Sequence, residues 1–229
     1  MFCCLLLAAS ANGQTARGSG NIVESNYDFT DFESIRINNS YDLEVIQADE
    51  FNITISHDDN IKNFIQVTKR DKTLEIGLRE RLGYSDIELK VTVSMPVLKS
   101  LNGSGSGKIS FSQMKSENLT IKLSGASKLS GVLEVENNLQ LISSGASQIS
   151  LRGSAGNATM ELSGASKFAG KAFVVDGELN IRSDAASSVT LTANGEISAN
   201  LKGAASVTWY GSGAVVQKLL SGAASIRKK

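Results

Sequence analysis

The chain has 229 residues, with 23 basic and 23 acidic side chains, one His, one Pro and two Cys. A chain of this length can bury a large hydrophobic core, which excludes a miniprotein held together by disulfides. The balanced net charge gives no reason to expect nucleic acid or an anionic membrane as the partner. The long apolar run at residues 2–9 is too short to span a bilayer, so we expect no transmembrane segment in the mature chain.

The first thirteen residues have the composition of an export signal. An apolar run is followed by Ala9-Ser10-Ala11, which matches the pattern of a cleavage site. We predict a signal peptide at residues 1–13, truncated at its start because no charged segment precedes the apolar run, and a linker at residues 14–30. Both cysteines, Cys3 and Cys4, fall in the signal, so the exported chain would carry no thiol or disulfide. The alternative is an ordinary buried strand or helix at the N terminus.

Residues 31–100 have the pattern of a β-rich N-terminal part. From Ile87 to Val93 apolar and polar residues alternate, which is typical of a half-buried strand. Turn residues such as Asn38-Asn39 and Asp58-Asp59 separate the apolar runs, and no segment keeps a helical period of 3.6 residues. The predicted strands are residues 34–37, 41–46, 51–56, 65–68, 73–78 and 87–95.

From residue 101 onward the sequence repeats a short motif seven times. Successive copies begin 20, 20, 19, 21, 18 and 19 residues apart, which is strong evidence for a solenoid over residues 101–229. The copies are Ser104-Gly-Ser-Gly-Lys-Ile109, Ser124-Gly-Ala-Ser-Lys-Leu129, Ser144-Gly-Ala-Ser-Gln-Ile149, Ser163-Gly-Ala-Ser-Lys-Phe168, Asp184-Ala-Ala-Ser-Ser-Val189, Lys202-Gly-Ala-Ala-Ser-Val207 and Ser221-Gly-Ala-Ala-Ser-Ile226.

Aligning the copies gives columns of uniform chemistry. Before the motif, apolar columns that include Leu119 and Ile121 flank a polar column that includes Thr120, and this period of two indicates a strand with one face inward. The last motif residue is always apolar, which indicates a second strand in each turn. The second motif residue is Gly in six of the seven copies and marks a corner between the strands.

A turn of about 20 residues is too short for a strand–helix crossover and fits a parallel β-helix. We therefore predict an all-β fold: a parallel β-helix (solenoid) of about seven turns, with the N-terminal strands capping or extending one end. Ile121, Leu141 and Ile181 should be buried one above the other. At the other end, the basic residues at 227–229 should discourage edge-to-edge association. A β-sandwich is the weaker alternative.

Several of these segments resemble a known family. The Phe32-Glu-Ser-Ile-Arg-Ile37 run, the Val93-Ser-Met-Pro-Val-Leu98 run leading into Leu101-Asn-Gly-Ser-Gly-Ser-Gly107, and the recurring Ser-Gly-Ala-Ser are similar to exported bacterial proteins described as auto-transporter adhesin head GIN domains. The resemblance covers about residues 30–212. It implies a β-helix-like fold and a surface or periplasmic location. It brings no established catalytic residues, and fold does not determine function.

The residues offer little for metal or nucleophilic chemistry, so we predict no cofactor, metal or catalytic residue. His57 is the only histidine, and we interpret His57-Asp58-Asp59 as a solvated turn because zinc sites usually use several nitrogen or sulfur ligands. Ser127, Ser147 and Ser166 have no nearby base, so we expect them to pack in corners and hydrogen bond to local backbone.

One group of charged residues deserves comparison with polysaccharide-cleaving β-helix enzymes. Glu161 aligns with Arg182, and Asp184 aligns with Lys202, in adjacent turns. We interpret these as cross-strand ion pairs worth about 0.2–1 kcal/mol each. The alternative is a binding or catalytic patch, since glycoside hydrolysis needs two acids facing one cleft.

The remaining candidates form a possible binding surface on the solenoid. Lys108, Lys128 and Lys167 belong to an outward column repeated about every 4.8 Å. Trp209 aligns with apolar positions and should point inward, which leaves Tyr210 facing solvent, where it could stack on a sugar. We therefore predict an exported, non-catalytic envelope protein that binds a partner such as a glycan or an envelope protein. The alternatives are a polysaccharide-active β-helix enzyme and a purely structural envelope component.

Overall fold

The computed structural model describes residues 15–79 and 83–229, so the predicted signal peptide lies outside the described residues. Within those ranges the chain forms twenty strands and one 3-10 helix, Asp59–Phe64. The strands are β1 Thr15–Arg17, β2 Ile22–Asn26, β3 Ser34–Ile37, β4 Asp42–Gln47, β5 Asn52–Asp58, β6 Ile65–Arg70, β7 Thr73–Leu78, β8 Gly83–Ser85, β9 Leu89–Met95, β10 Ser100–Gly105, β11 Lys108–Gly125, β12 Lys128–Ser143, β13 Gln148–Leu162, β14 Lys167–Val175, β15 Leu179–Ser183, β16 Ser188–Ala193, β17 Glu196–Leu201, β18 Ser206–Tyr210, β19 Ala214–Leu220 and β20 Ser225–Lys228. No helix in the described part is long and apolar enough to cross a membrane.

The strands build the predicted β-solenoid. From β10 to β20 every strand pairs in parallel with the strand one turn earlier, as in the register of β11 on β12 and of β12 on β13. The solenoid has about six turns rather than seven. The difference arises because seven copies of a corner motif enclose only six complete turns between them.

The core consists of the apolar columns predicted from the repeats. Ile121 lies beside Leu141, Leu141 beside Met160, and Met160 beside Ile181, and each of these side chains is at most 1% exposed. Trp209 closes a parallel column above Leu191 and is 8% exposed, which confirms its inward orientation. Each turn therefore adds one layer of apolar side chains to a continuous core.

The glycine column forms a tight corner in which successive backbones touch. Six of its residues are Gly with φ between 69° and 100°, and Ala185 takes the seventh place with φ 56°. A Cβ built on Gly125 would lie 2.4 Å from the carbonyl oxygen of Gly105. The serines two positions later are buried, and the Ser147 hydroxyl donates to the Ser144 carbonyl oxygen at 3.0 Å, as expected for a structural corner residue.

The N-terminal strands extend the solenoid. β3 pairs in parallel with β10, and β4 pairs in parallel with β11, so the two stacks continue beyond the repeats. Antiparallel strand pairs then finish each stack: β2 on β5 in one stack and the β6–β7 hairpin in the other. The predicted linker contains β1 and β2, which the sequence analysis missed because each is short and flanked by Gly, Ser and Asn.

The interpretation of His57-Asp58 as a solvated turn is wrong. His57 and Asp58 are the last residues of β5; His57 is fully buried and Asp58 is 1% exposed, because residues 17–21 fold back across the end of this strand. The Asp58 carboxylate accepts hydrogen bonds from the backbone N–H groups of Gly20 and Glu88, both at 2.7 Å. Buried carboxylates require such donors, so Asp58 fastens the predicted linker to the body of the protein.

Candidate functional site

The outward lysine column is continuous in the structure. We call it the lysine ridge; it consists of Lys108, Lys128, Gln148, Lys167, Ser188 and Ser206. Its first four side chains are exposed, and each lies beside the next in strand register because all occupy the first position after the corner. The N-terminal strands lengthen the column, since Asp42 of β4 pairs in register with Lys108.

The three lysines of the ridge differ in their electrostatic environment. The ammonium of Lys108 lies 3.3 Å from a carboxylate oxygen of Asp42, so its charge is largely compensated. Among the described residues, no carboxylate oxygen lies within 4.0 Å of the ammonium of Lys128 or Lys167. The middle of the ridge therefore presents two uncompensated positive charges separated by the uncharged Gln148.

A shallow groove runs along the ridge. It has a volume of about 330 Å³ and lies between the lysine column and a second outward column of small residues. That second column contributes Ser130, Ser150 and Ala169, while Leu129 and Ile149 contribute to the floor. Small side chains on one wall leave room for a ligand, and hydroxyl and ammonium groups are suitable donors for sugar oxygens.

The predicted charged cluster is only partly formed as ion pairs. The Arg182 guanidinium lies 3.4 Å from a carboxylate oxygen of Glu161, which confirms one of the two predicted pairs. The charged groups of Asp184 and Lys202 do not come within 4.0 Å of each other, although the Lys202 N–H donates to the Ser183 carbonyl oxygen at 2.9 Å and so continues the pairing of β17 with β15. All four residues nevertheless line one cavity of about 260 Å³.

The two carboxylates of this cavity differ in their surroundings. One of them, Glu161, forms an ion pair with Arg182, and both side chains of this pair are exposed to solvent. A second cavity of about 260 Å³ adjoins the first and shares Arg182 and Asn200 with it. The surface formed by the two cavities together is rich in amide and hydroxyl groups, which suits hydrogen bonding to a polar ligand better than acid–base chemistry.

Tyr210 is less available for stacking than the sequence suggested. Its side chain is only partly exposed, and the ammonium of Lys171 lies 4.5 Å from the centroid of its ring. A cation at this distance occupies a ring face in a cation–π contact. A sugar could therefore stack only on the opposite face.

The sequence did not predict a further groove of the described part of the chain. It has a volume of about 890 Å³ and lies at a different corner of the solenoid, where β11 and β12 each bulge. Two ion pairs cross its wall: Lys99 to Glu33 at 2.8 Å and Lys115 to Glu134 at 2.9 Å. The lining residues fall outside the repeated motif, so the motif alignment gave no reason to select them.

The single histidine is structural in the described part of the chain. Its Nδ1 lies 2.8 Å from the Asp58 carbonyl oxygen, which can only accept, so Nδ1 carries the proton. Nε2 lies 3.0 Å from the Ser25 hydroxyl and accepts from it when the ring is neutral. Within residues 15–79 and 83–229, no three His, Cys, Asp or Glu side chains gather in a way that could hold a metal ion.

Both the sequence pattern and the fold of this chain occur in known proteins. Residues 31–213 match the sequence profile of one family, described as "putative auto-transporter adhesin, head GIN domain". The chain belongs to this family. Family membership confirms the resemblance seen in the sequence and is typical of an exported or surface protein.

Several solved structures have the same fold. A putative adhesin from Bacteroides fragilis is 21% identical, with a TM-score of 0.81 over 93% of this chain and 100% of the other. A putative lipid binding protein from Parabacteroides distasonis is 19% identical, with a TM-score of 0.76 over 94% of this chain and 100% of the other. A putative adhesin from Parabacteroides merdae is 18% identical, with a TM-score of 0.73 over 94% of this chain and 99% of the other.

These likenesses establish the GIN-domain fold and not a ligand. The names of the family and of the three proteins describe adhesion or lipid binding rather than catalysis. A comparison with curated protein sequences finds no match.

Proposed function

We propose that this GIN-domain protein is an exported, non-catalytic binding module of the cell envelope. Its ligand would lie along the lysine ridge. The observation that carries the proposal is the uncompensated pair Lys128 and Lys167, which flanks Gln148 beside a groove lined by hydroxyl groups. The same donors recur in successive turns, so an extended ligand can contact several equivalent positions at once.

The ligand class that fits this surface best is an extended glycan that carries carboxylate or phosphate groups. Adjacent ridge positions are one strand spacing apart, roughly 4.8 Å, which is close to the length of one sugar unit. Each contact on an open groove is weak, but linked contacts along one chain add avidity. A protein strand is less suited, because the backbone groups of the ridge strands are already paired with the turns on either side.

A binding assay with a charge-only variant tests the proposal. Lys108, Lys128 and Lys167 are all changed to Gln, and binding to immobilised envelope glycans is compared with that of the unmodified protein. We expect weaker binding with an unchanged melting temperature, because exposed side chains contribute little to stability. Lys108→Gln alone is the matched control: its charge is compensated by Asp42, so it should weaken binding less than Lys128→Gln.

The same assay decides between this function and its alternatives. Binding that survives the triple change excludes the ridge as the site. No binding to any envelope fraction favours a structural component of the envelope. Cleavage of a polysaccharide that is lost in Asp184→Asn would favour an enzyme with the Glu161 and Arg182 cavity as its active site.

A further inference from the structure

The C-terminal end of the solenoid combines exposed apolar side chains with a strong local positive charge. The last turn consists of β19 and β20, which pair only with β17 and β18 below them among the described strands. Residues 197–229 contain five basic side chains and no Asp or Glu. Three of the large apolar side chains that are exposed in the described part of the chain also lie here: Val216, Leu219 and Leu220.

We call this end the cationic tip and define it by Val216, Lys218, Leu219, Arg227 and Lys228. Both strands of the tip replace a core residue with lysine. Lys218 continues the apolar column of Ala199, and Lys228 continues the column of Trp209. Two core columns that are apolar through the rest of the solenoid therefore end in a charge at the same level.

This arrangement is unsuited to a further protein layer. Another turn or a second copy stacked on the tip would bury the ammonium groups of Lys218 and Lys228 over apolar columns, which is costly without partners. β19 also bulges at Val216, and inward charges and bulges are features that keep edge strands from pairing. Two tips facing each other would in addition bring six positive charges together. Yet Val216 and Leu219 are each 57% exposed, which a tip that only faces water would not require.

We propose that the cationic tip binds the surface of an anionic lipid bilayer. Val216 and Leu219 would enter the interface between headgroups and acyl chains, and Lys218, Arg227 and Lys228 would contact the lipid phosphates. Lysine suits this position because its long stem can lie along an apolar surface while the ammonium reaches a polar one. The interface is hydrated, so the free backbone groups of the edge strands need not lose their water contacts. The near-zero net charge of the chain concealed this site, because 15 of the 23 acidic residues lie within residues 1–100 and none lies within residues 197–229.

Flotation with lipid vesicles tests this proposal independently of the ridge. The full chain is mixed with vesicles of phosphatidylglycerol and phosphatidylcholine, or of phosphatidylcholine alone, at 0.05 M, 0.15 M and 0.5 M salt. We expect binding to the anionic vesicles at low salt, and much weaker binding to the neutral ones. The apolar segment at residues 2–9 is common to all variants, and the neutral vesicles measure what it contributes.

Two variants of the tip and one control identify the binding surface. A Lys or Arg near an anionic surface raises the binding constant roughly fivefold, so Lys218→Gln, Arg227→Gln and Lys228→Gln together should weaken binding about 100-fold. Val216→Ser with Leu219→Ser should weaken it at least about tenfold through loss of apolar insertion. In the control, Lys108, Lys128 and Lys167 are changed to Gln, which removes as many positive charges as the tip variant does. Lys167 lies three strands below β20, roughly 14 Å away. This distance exceeds the screening length at 0.15 M salt. At that salt concentration, vesicle binding by the control should therefore weaken less than about threefold.

Three results would overturn the proposal: no binding to anionic vesicles at low salt, equal losses in the tip and control variants, or tip-dependent self-association in sedimentation without vesicle binding. The last result would identify a second copy of the chain as the occupant. Circular dichroism of each variant shows that it is folded, which all the exposed substitutions should permit.

Discussion

Replacing Gly145 with Ala should strain the corner at the middle of the solenoid. Gly145 has φ 77°, a conformation that costs a residue with a side chain about 1–2 kcal/mol. An added Cβ would also lie 2.5 Å from the carbonyl oxygen of Gly125. That oxygen accepts a hydrogen bond from the Ala146 N–H at 2.8 Å, so the backbone cannot move away without weakening the contact between turns.

The two effects should add to a loss of about 2–5 kcal/mol, since overpacking of this kind typically costs about 1–3 kcal/mol. For a chain of this size, each 1 kcal/mol lowers the melting temperature by about 2–4 °C. Urea unfolding provides the measurement, followed by circular dichroism for all strands and by the fluorescence of Trp209, the only tryptophan. Coincident transitions from the two probes would show that the solenoid unfolds as one unit.

Gly20→Ala separates the dihedral cost from the steric one. Gly20 has φ 79°, nearly the same as Gly145, but an added Cβ there would have no heavy atom within 4 Å. It should therefore lose only about 1–2 kcal/mol. Equal losses of unfolding free energy at Gly20 and Gly145 would show that the close approach of the turns adds nothing to the cost of the substitution. An unchanged stability of Gly145→Ala would refute the explanation of the glycine column altogether.

Two further predictions concern buried side chains. Leu141→Asp should unfold the protein, because an unpaired charge in the core costs several kcal/mol, whereas Gln140→Asp on the exposed face of the same strand should change the unfolding free energy by less than about 0.5 kcal/mol. A folded Leu141→Asp variant in circular dichroism would contradict the core assignment. Burial raises the pKa of Tyr41 to about 12, so its proton is held more tightly in the folded state than in the unfolded one, and stability should fall as the pH rises from 10 to 12. Tyr41→Phe should remove about 1.4 kcal/mol of that fall at pH 11 in urea titrations, and an unchanged pH profile would show that Tyr41 ionises equally in both states.

The solenoid was predictable because its sequence repeats the same physical requirement in every turn. Leu141 has an apolar neighbour about 20 residues before and after it, and a polar residue beside it, so both the strand and its inward face can be inferred from the sequence. The glycines at 103 and 107 have a cause that the sequence alone does not show, because their partner Tyr41 lies more than 60 positions earlier in the chain. Cβ atoms at Gly103 and Gly107 would lie 2.6 Å and 2.3 Å from Tyr41, which fills the start of the core.

The N-terminal part could not be predicted in the same detail, because its contacts occur once and join distant residues. The Asp58 carboxylate meets the Gly20 N–H across 38 positions in sequence, and no repeat announces the pair. Around it, the Asp59 carboxylate accepts from the Ser19 hydroxyl and the Asn21 amide, and these hydrogen bonds lower the pKa of Asp59. A run of Gly, Ser and Asn has the composition of a linker whether or not such partners exist.

The two proposed surfaces are compatible because they lie on different parts of the solenoid. The lysine ridge runs across successive turns and is therefore parallel to the axis, whereas the cationic tip closes one end of that axis. Six turns at the strand spacing rise roughly 30 Å. If the tip rests on a bilayer, the solenoid axis points away from the membrane surface. Lys128 and Lys167 then lie between the two ends of the solenoid, exposed to a ligand in the surrounding envelope. This geometry requires that the tip variants lose vesicle binding and keep glycan binding. It also requires that the ridge variants lose glycan binding and keep vesicle binding.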